Sequence, residues 1–312
     1  MERLETEIYL RYKQIIESQG VFVPAGDKSP APQRVRMEDL LDRYDAFCFD
    51  GYGTLYNRGS FVYEGALDWY TMLRAAGKQM RLITNAASDV DSVLAADAAK
   101  RGFSFSEAET ISSGSLLKDL CVELRGRDKA VREVYYIGRE TGKHVLESYG
   151  ITAVALDAEP AESIVAISSA KDTPESYAQA AKILQKPGAM LLVLNSDAWA
   201  PKIPGDDGVT VREPVSGALS ERLRRDSMCA VNGDVGCETF YLGKPFPAIW
   251  EKVKRSLPED SRVLMVGDTL GTDVLGAKIA GFDSALVVGR NVPADELEAD
   301  EKALGIRPDW YL

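Results

Sequence analysis

Four short stretches of the 312-residue sequence place an acid, a hydroxyl or a lysine directly after an apolar run. Asp50 ends FCFD and is followed by Gly51, Tyr52 and the turn residues GTL. Thr84 and Asn85 close RLITN, Lys244 lies in YLGKPFP, and Asp268 and Asp273 lie in VGDTLGTD. Three carboxylates packed together repel one another, and desolvation makes this worse. A divalent cation relieves the repulsion, and magnesium takes a few carboxylates together with carbonyl and water oxygens. A lysine, a hydroxyl and turn amides receive an anion. Metal, cation and amide donors together suit phosphoryl transfer, whose transition-state charge lies on non-bridging oxygens. Asp50 is then free to attack phosphorus and form an aspartyl-phosphate. Each stretch alone has an ordinary reading: Thr272 and Asp273 as helix caps, Lys244 as an exposed lysine before a helix, Asp50 as a strand exit, Thr84-Asn85 as a polar turn. All four after apolar strands, in this order, favour the chemical reading.

For these residues to meet, their runs must be neighbouring strands of one sheet. Residues 44–49 and 80–83 are short apolar runs, and between them ALDWYTMLRAAGK has helical spacing ended by Gly77. Continuous apolar strands separated by helices indicate a parallel sheet covered on both faces. Residues 89–125 read as mostly helical. VYYIG opens a second alternation: a helix to Tyr149, a strand near SIVAIS, a helix after Thr173-Pro174 and the strand MLLVLN. RVLMVGDTLGTDVLGAKIAGFDSALVV closes the chain as strand, turn, helix and strand. The pattern predicts an α/β protein of two domains. Residues 1–34 are a helical extension and a linker containing VPAGDKSPAPQ, 35–114 and 241–312 form one discontinuous core, and 115–240 form an inserted domain. Ligands of such folds sit at the carboxyl ends of the strands.

Bulk properties narrow the partners. A net charge of −11 disfavours nucleic acid and anionic membrane. No apolar run approaches the roughly 18 residues of a membrane span, and MERLETEIYLRYKQ lacks a signal-peptide apolar region. Cys48, Cys121, Cys229 and Cys237 show no CxxC spacing, and His144 is the sole histidine, which argues against zinc. Reduced structural thiols in a cytoplasmic protein are expected.

With its motifs in this order, the sequence resembles the haloacid dehalogenase superfamily hydrolases, specifically class IIA, which carries a large α/β cap between the second and third motifs. The resemblance covers about residues 40–312. Asp50 in FDGYGTL matches the family nucleophile, Thr84 in LITN the second-motif hydroxyl, Lys244 in LGKP the third-motif lysine, and Asp268 and Asp273 in GDTLGTD the metal-site acids. The resemblance implies a Rossmann-like core with a parallel sheet plus an inserted α/β cap. It also implies Mg2+-dependent hydrolysis of a small phosphorylated metabolite through an aspartyl-phosphate. Gly51, Thr84, Asn85 and Lys244 would surround the phosphate, while Asp50, the Tyr52 carbonyl, Asp268 and Asp273 would hold the metal. NSDAWAP resembles a cap stretch that faces the active site in pyridoxal phosphate phosphatases, which puts Asn195, Asp197 and Trp199 at the substrate's organic part. Caps of this class often mediate dimers, so a homodimer through the cap is implied.

Tyr52 departs from the pattern, because the family's phosphatases carry a second aspartate there. That aspartate protonates the leaving group and later activates water, help worth ~10²–10⁴ in rate, or ~3–5.5 kcal/mol. A phenol with a reference pKa of about 10 donates but is a poor base. Tyr52 is expected to shape the cleft or to donate a proton to substrate. Tyrosine here also resembles the superfamily's dehalogenases, so a metal-free carbon–halogen hydrolase using Asp50 stays open, as does a protein that binds a phosphate ligand without turnover. Trp199 stacks on a planar ring or packs between the domains. His144 is expected at the surface with no role, and GALSERLRR as a solvated basic helix face.

Overall fold

A computed structural model of the chain describes residues 4–24, 32–205, 210–227 and 237–312. Every residue of the strands Ala46–Phe49 and Val263–Gly267 is buried. Runs with no polar face need cover on both sides, which the middle of a parallel sheet supplies. The two strands pair with each other, Val266 opposite Phe49. Gln79–Thr84 and then Thr110–Ser112 continue the sheet beyond Ala46–Phe49, while Asp283–Leu286, Trp310–Tyr311 and Gln33–Arg34 continue it beyond Val263–Gly267. All these pairings are parallel. Side chains alternate between faces: Cys48, Ile83 and Met265 pack with Trp250 on one, and Phe47, Phe49 and Leu264 pack with Tyr70 and Leu73 on the other. Strand order runs outward in opposite directions from Ala46–Phe49 and Val263–Gly267, so the switch point lies between them. That is where a crevice opens in such sheets.

A second parallel sheet has the order Glu238–Tyr241, Met190–Val193, Ile164–Ile167, Glu133–Ile137, Thr152–Ala153. The helix expected after Thr173-Pro174 is present, with the Thr173 hydroxyl accepting from the Ser176 N–H as its cap. Trp199–Pro201 and Arg212–Pro214 form an antiparallel ribbon. Among the described residues no helix is long and apolar enough to cross a membrane.

Several expectations need correction. Residues 89–125 are mostly helical but not wholly so: between the helices Asp91–Ala99 and Leu117–Gly126 lies a buried strand, Thr110–Ser112, of only three residues and too short to show a period. The strand before Lys244 belongs to the second sheet, because Glu238–Tyr241 pairs with Met190–Val193. Cys237 is disulfide-bonded, contrary to the expectation of reduced thiols. Bridging follows proximity in space, which sequence spacing does not report. Cys48 and Cys121 are free, and Cys229 and most of VPAGDKSPAPQ lie outside the described residues. The helix Ser216–Asp226, which contains GALSERLRR, is not a solvated basic face. It buries Leu219, Glu221 and Leu223, and Glu221 is gripped by Arg224 at 2.8 Å and Arg225 at 3.0 Å.

Leu219 and Leu223 of that helix pack on the second sheet with Val165, Leu191 and Val193, while Glu221 pairs with Arg11 of the N-terminal helix Leu4–Ser18 at 3.5 Å. In the N-terminal helix Ile8, Tyr12, Ile15 and Ile16 recur at helical spacing and are buried, with Tyr9 beside them. They pack against Ala198, Phe246, Leu270, Val274 and Leu304, which come from both halves of the molecule. Tyr12 stands edge-on to Tyr241 and to Phe246, each at 5.2 Å between ring centres. Glu5 pairs with Arg212 at 2.8 Å, and Lys13 donates to the Leu304 carbonyl at 2.8 Å. The extension is therefore a brace between the two sheets. Tyr12→Ala is expected to cost about 3–5 kcal/mol of stability. Tyr12→Phe should be neutral or stabilising, because the buried Tyr12 hydroxyl has no hydrogen-bond partner. Denaturation midpoints of the two variants check this, and an unchanged midpoint for Tyr12→Ala would show the helix to be peripheral.

Candidate active site

Asp50 leaves the sheet at the switch point, its N–H still bonded to the Val266 carbonyl at 2.9 Å. Lys244 arrives from the second sheet and spends all three ammonium protons there. It donates to Asp50 Oδ1 at 2.6 Å, Asp273 Oδ1 at 2.7 Å and the Ile83 carbonyl at 3.1 Å. Asn85 brackets the Lys244 backbone, accepting from its N–H at 2.7 Å and donating to its carbonyl at 3.0 Å. The same Asn85 amide donates to Asp197 Oδ1 at 2.8 Å. Thr84, buried at the end of its strand, accepts from the Ala86 N–H at 3.2 Å. Asp273 Oδ2 accepts from the N–H groups of Asp268 and Thr269, both at 3.1 Å, so it braces its own loop rather than capping the next helix.

Asp268 is the exception in this network. Its Oδ1 accepts from the Thr269 hydroxyl at 3.0 Å, while its Oδ2 is buried with no partner. Gly53, at φ +103°, runs against that oxygen, and a Cβ added there would stand 2.0 Å from it. Only glycine tolerates both the backbone angle and the close approach. One ligand oxygen from each of Asp50, Asp268 and Asp273 lies within 4.8 Å of the others.

Two family models match the chain: "Haloacid dehalogenase-like hydrolase" over residues 47–152 and "HAD-hydrolase-like" over 241–312. Chronophin of Mus musculus is 27% identical over 84% of this chain and 87% of its own. The 5'-nucleotidase YutF of Bacillus subtilis is 26% identical over 86% of this chain and 98% of its own. The crystal structure of a possible sugar phosphatase from Cytophaga hutchinsonii superposes with a TM-score of 0.73 at 24% identity, covering 90% of this chain and 97% of that one. The chain is a haloacid dehalogenase-like hydrolase.

Electrostatics in this hydrolase centre on burial. Desolvation pulls the Lys244 pKa down, yet Asp273 and Asp50 hold it well above the ordinary lysine range. Burial likewise raises Asp50, against Lys244 and with help from Asp273 and Asp197. Asp268 is raised furthest from ease: burial comes first, then the charges of Asp50 and Asp273. An unpaired buried carboxylate oxygen beside two more acids fits a divalent cation. Asp50 and Asp268 have oxygens to give it, whereas both oxygens of Asp273 already serve protein donors.

The remaining expected residues divide. Gly51 permits the turn to pass Tyr56, whose hydroxyl would lie 2.7 Å from an added Cβ. Tyr52 is half-buried, edge-on to Tyr56 at 5.1 Å, and donates to Asp97 Oδ2 at 3.3 Å. Burial and then Asp97 raise its pKa, so it stays a phenol. Asn195 Oδ1 accepts from the Asp197 N–H at 2.8 Å and shapes the loop. Trp199 packs against the cluster built on the N-terminal helix, which is the packing alternative. His144 is exposed.

Reading motifs missed Asn291, which donates to the Thr269 hydroxyl at 2.8 Å and so orients the support of Asp268. It also missed Asp97 and its partner Arg101, 2.6 Å apart, which fix Tyr52. No local signal marks these residues, since each is an ordinary polar side chain in a loop or helix. Asp268→Asn removes the buried carboxyl whose second oxygen has no partner. Metal-free, the variant is expected to be about 1–3 kcal/mol more stable than the native chain. Mg2+ should raise the melting temperature of the native chain and not of the variant. Equal shifts in both, followed by scanning fluorimetry, would place the cation elsewhere.

Proposed function

We propose that the chain is a magnesium-dependent phosphatase of a small phosphorylated metabolite. The observation that carries this reading is Lys244 Nζ bonded at once to Asp50 and Asp273, beside the orphaned oxygen of Asp268. The 5'-nucleotidase and the possible sugar phosphatase are a relative and a neighbour whose names agree with phosphate-ester hydrolysis.

In this reading an Asp50 oxygen attacks phosphorus and the ester bond breaks, leaving an aspartyl-phosphate. Water then releases phosphate and restores Asp50. Lys244, the Thr84 hydroxyl and the turn amides at Gly51 and Asn85 bind the non-bridging oxygens. Asp50, Asp268 and the Tyr52 carbonyl hold Mg2+, with Asp273 positioning Lys244 and the Asp268 loop. The bound cation supplies charge neutralisation where phosphoryl charge develops. Asp50 is only 8% exposed and Lys244 2%, so these charges act in a poorly screened space. Halide displacement from carbon would leave the buried charge of Asp268 without a use, which weighs against that alternative.

Asp50→Asn is expected to lower kcat by about 10³-fold or more, since it removes the nucleophile itself. Stripping the metal should abolish turnover on a panel of phosphorylated metabolites, and Mg2+ should restore it. Activity undiminished after thorough metal removal would overturn the reading, and ligand binding without any turnover would reduce the protein to a binder.

A further inference from the structure

We propose that Asp197, on the loop between Met190–Val193 and Trp199–Pro201, is the proton donor and acceptor of this hydrolase. The proposal rests on the phosphatase reading above. It starts from a gap: the turn after Asp50 has no carboxylic acid, and the Tyr52 hydroxyl is turned to Asp97. Of the other acids at the site, Asp50 is the nucleophile, Asp268 faces the cation position, and both oxygens of Asp273 are bonded.

Asp197 is differently placed. Its Oδ1 is held by the Asn85 amide, the group that also brackets Lys244. Asp197 is thus one side chain away from both elements that receive the phosphoryl group. Its Oδ2 takes no hydrogen bond from any described residue, and the side chain is only partly buried. The loop that carries it is fixed on several sides. The Asp197 carbonyl accepts from the Gly217 N–H at 2.7 Å, and the Ala198 carbonyl accepts from the Val215 N–H at 2.9 Å. The Ala198 N–H donates to the Tyr9 hydroxyl at 3.2 Å. Tyr9 in turn lies on Gly271 of the GDTLGTD loop, where an added Cβ would stand 2.0 Å from its ring. The N-terminal helix thereby sets the Asp197 loop against the loop of Asp268 and Asp273.

The steps balance as follows. As Asp50 bonds to phosphorus and the ester P–O bond breaks, the proton of the Asp197 carboxyl passes to the leaving alkoxide. A water then attacks the aspartyl-phosphate, its proton passes to the Asp197 carboxylate, and phosphate and Asp50 separate. Asp197 ends protonated, ready for the next turnover. Burial supports this geometry by raising the Asp197 pKa to about 6, against Lys244 and the Asn85 hydrogen bond, within reach of both protonation states near neutral pH.

The test is Asp197→Asn, which keeps an oxygen for the Asn85 amide and removes the transferable proton. With Mg2+, an alkyl phosphate such as glycerol 3-phosphate should lose ~10²–10⁴ in kcat, because its alkoxide needs the proton. With 4-nitrophenyl phosphate, whose leaving group needs none, the first-turnover burst should stay within about 3-fold of native while steady-state turnover falls and acid-quenched phosphoenzyme accumulates. The retained burst also shows that the variant is folded. Equal losses of burst and steady state on both esters would assign Asp197 a positioning role and overturn the proposal, as would no loss at all. So would a leaving-group-dependent loss produced by Tyr52→Phe and not by Asp197→Asn. Native enzyme without turnover on any ester defeats the phosphatase reading and takes the proposal with it. Native turnover without an Asp197 effect defeats the proposal alone.

Discussion

A lysine ammonium with almost no exposure to water sits among the carboxylates of Asp50 and Asp273, and the rest of the molecule is arranged around that fact. Taking an ammonium out of water costs several kcal/mol unless its partners repay it with good geometry. Here every proton of Lys244 has an acceptor, and those acceptors come from three separated parts of the chain. Asp50 follows one central strand, Asp273 belongs to the loop after its neighbour, and Ile83 lies on the strand beyond. Lys244 itself enters from the second sheet, so a single ion cluster fastens the two sheets together at the proposed active site.

Such a cluster tolerates little relative movement, and the structure supplies further restraint from an unexpected direction. The Leu4–Ser18 helix inserts Tyr9 and Tyr12 between the halves, touching Ala198 and Tyr241 on one side and Gly271 and Leu270 on the other. Its ion pairs with Arg212 and Glu221 add to this apolar contact, each with a buried acid. The residue spacing of this helix was readable. What it covered was not, since its partners lie some 200 and more residues further along the chain.

That contrast describes the legibility of the whole sequence. Asp50, Thr84, Lys244, Asp268 and Asp273 could be found because each follows an apolar strand, and a strand end at a sheet's carboxyl rim is a local feature. The sheet to which a strand belongs is not local. Glu238–Tyr241 looks like any core strand until its pairing with Met190–Val193 is seen. Thr110–Ser112 is too short to carry a pattern, and the buried face of Ser216–Asp226 reads as basic because its apolar partners are absent from the window. Asn291, Asp97 and Arg101 belong to the same class: their work is defined only by what they touch.

The tyrosine after Asp50 shows which parts of such a site are interchangeable. Charge balance around Lys244 depends on fixed distances of 2.6 and 2.7 Å and on the number of carboxylates, so each of those residues is bound to its position. A metal ligand supplied by a backbone carbonyl is indifferent to the side chain it belongs to, and Gly53, not Tyr52, carries the steric demand of the loop. Proton transfer makes the weakest demand on sequence position. It requires a group of suitable acidity within hydrogen-bond reach of the leaving oxygen, from whichever element approaches that side of the phosphoryl group. The Asp197 loop approaches from the second sheet and is tied to Asn85, so a side chain at position 52 could turn to Asp97 without removing the carboxylic acid from the cleft.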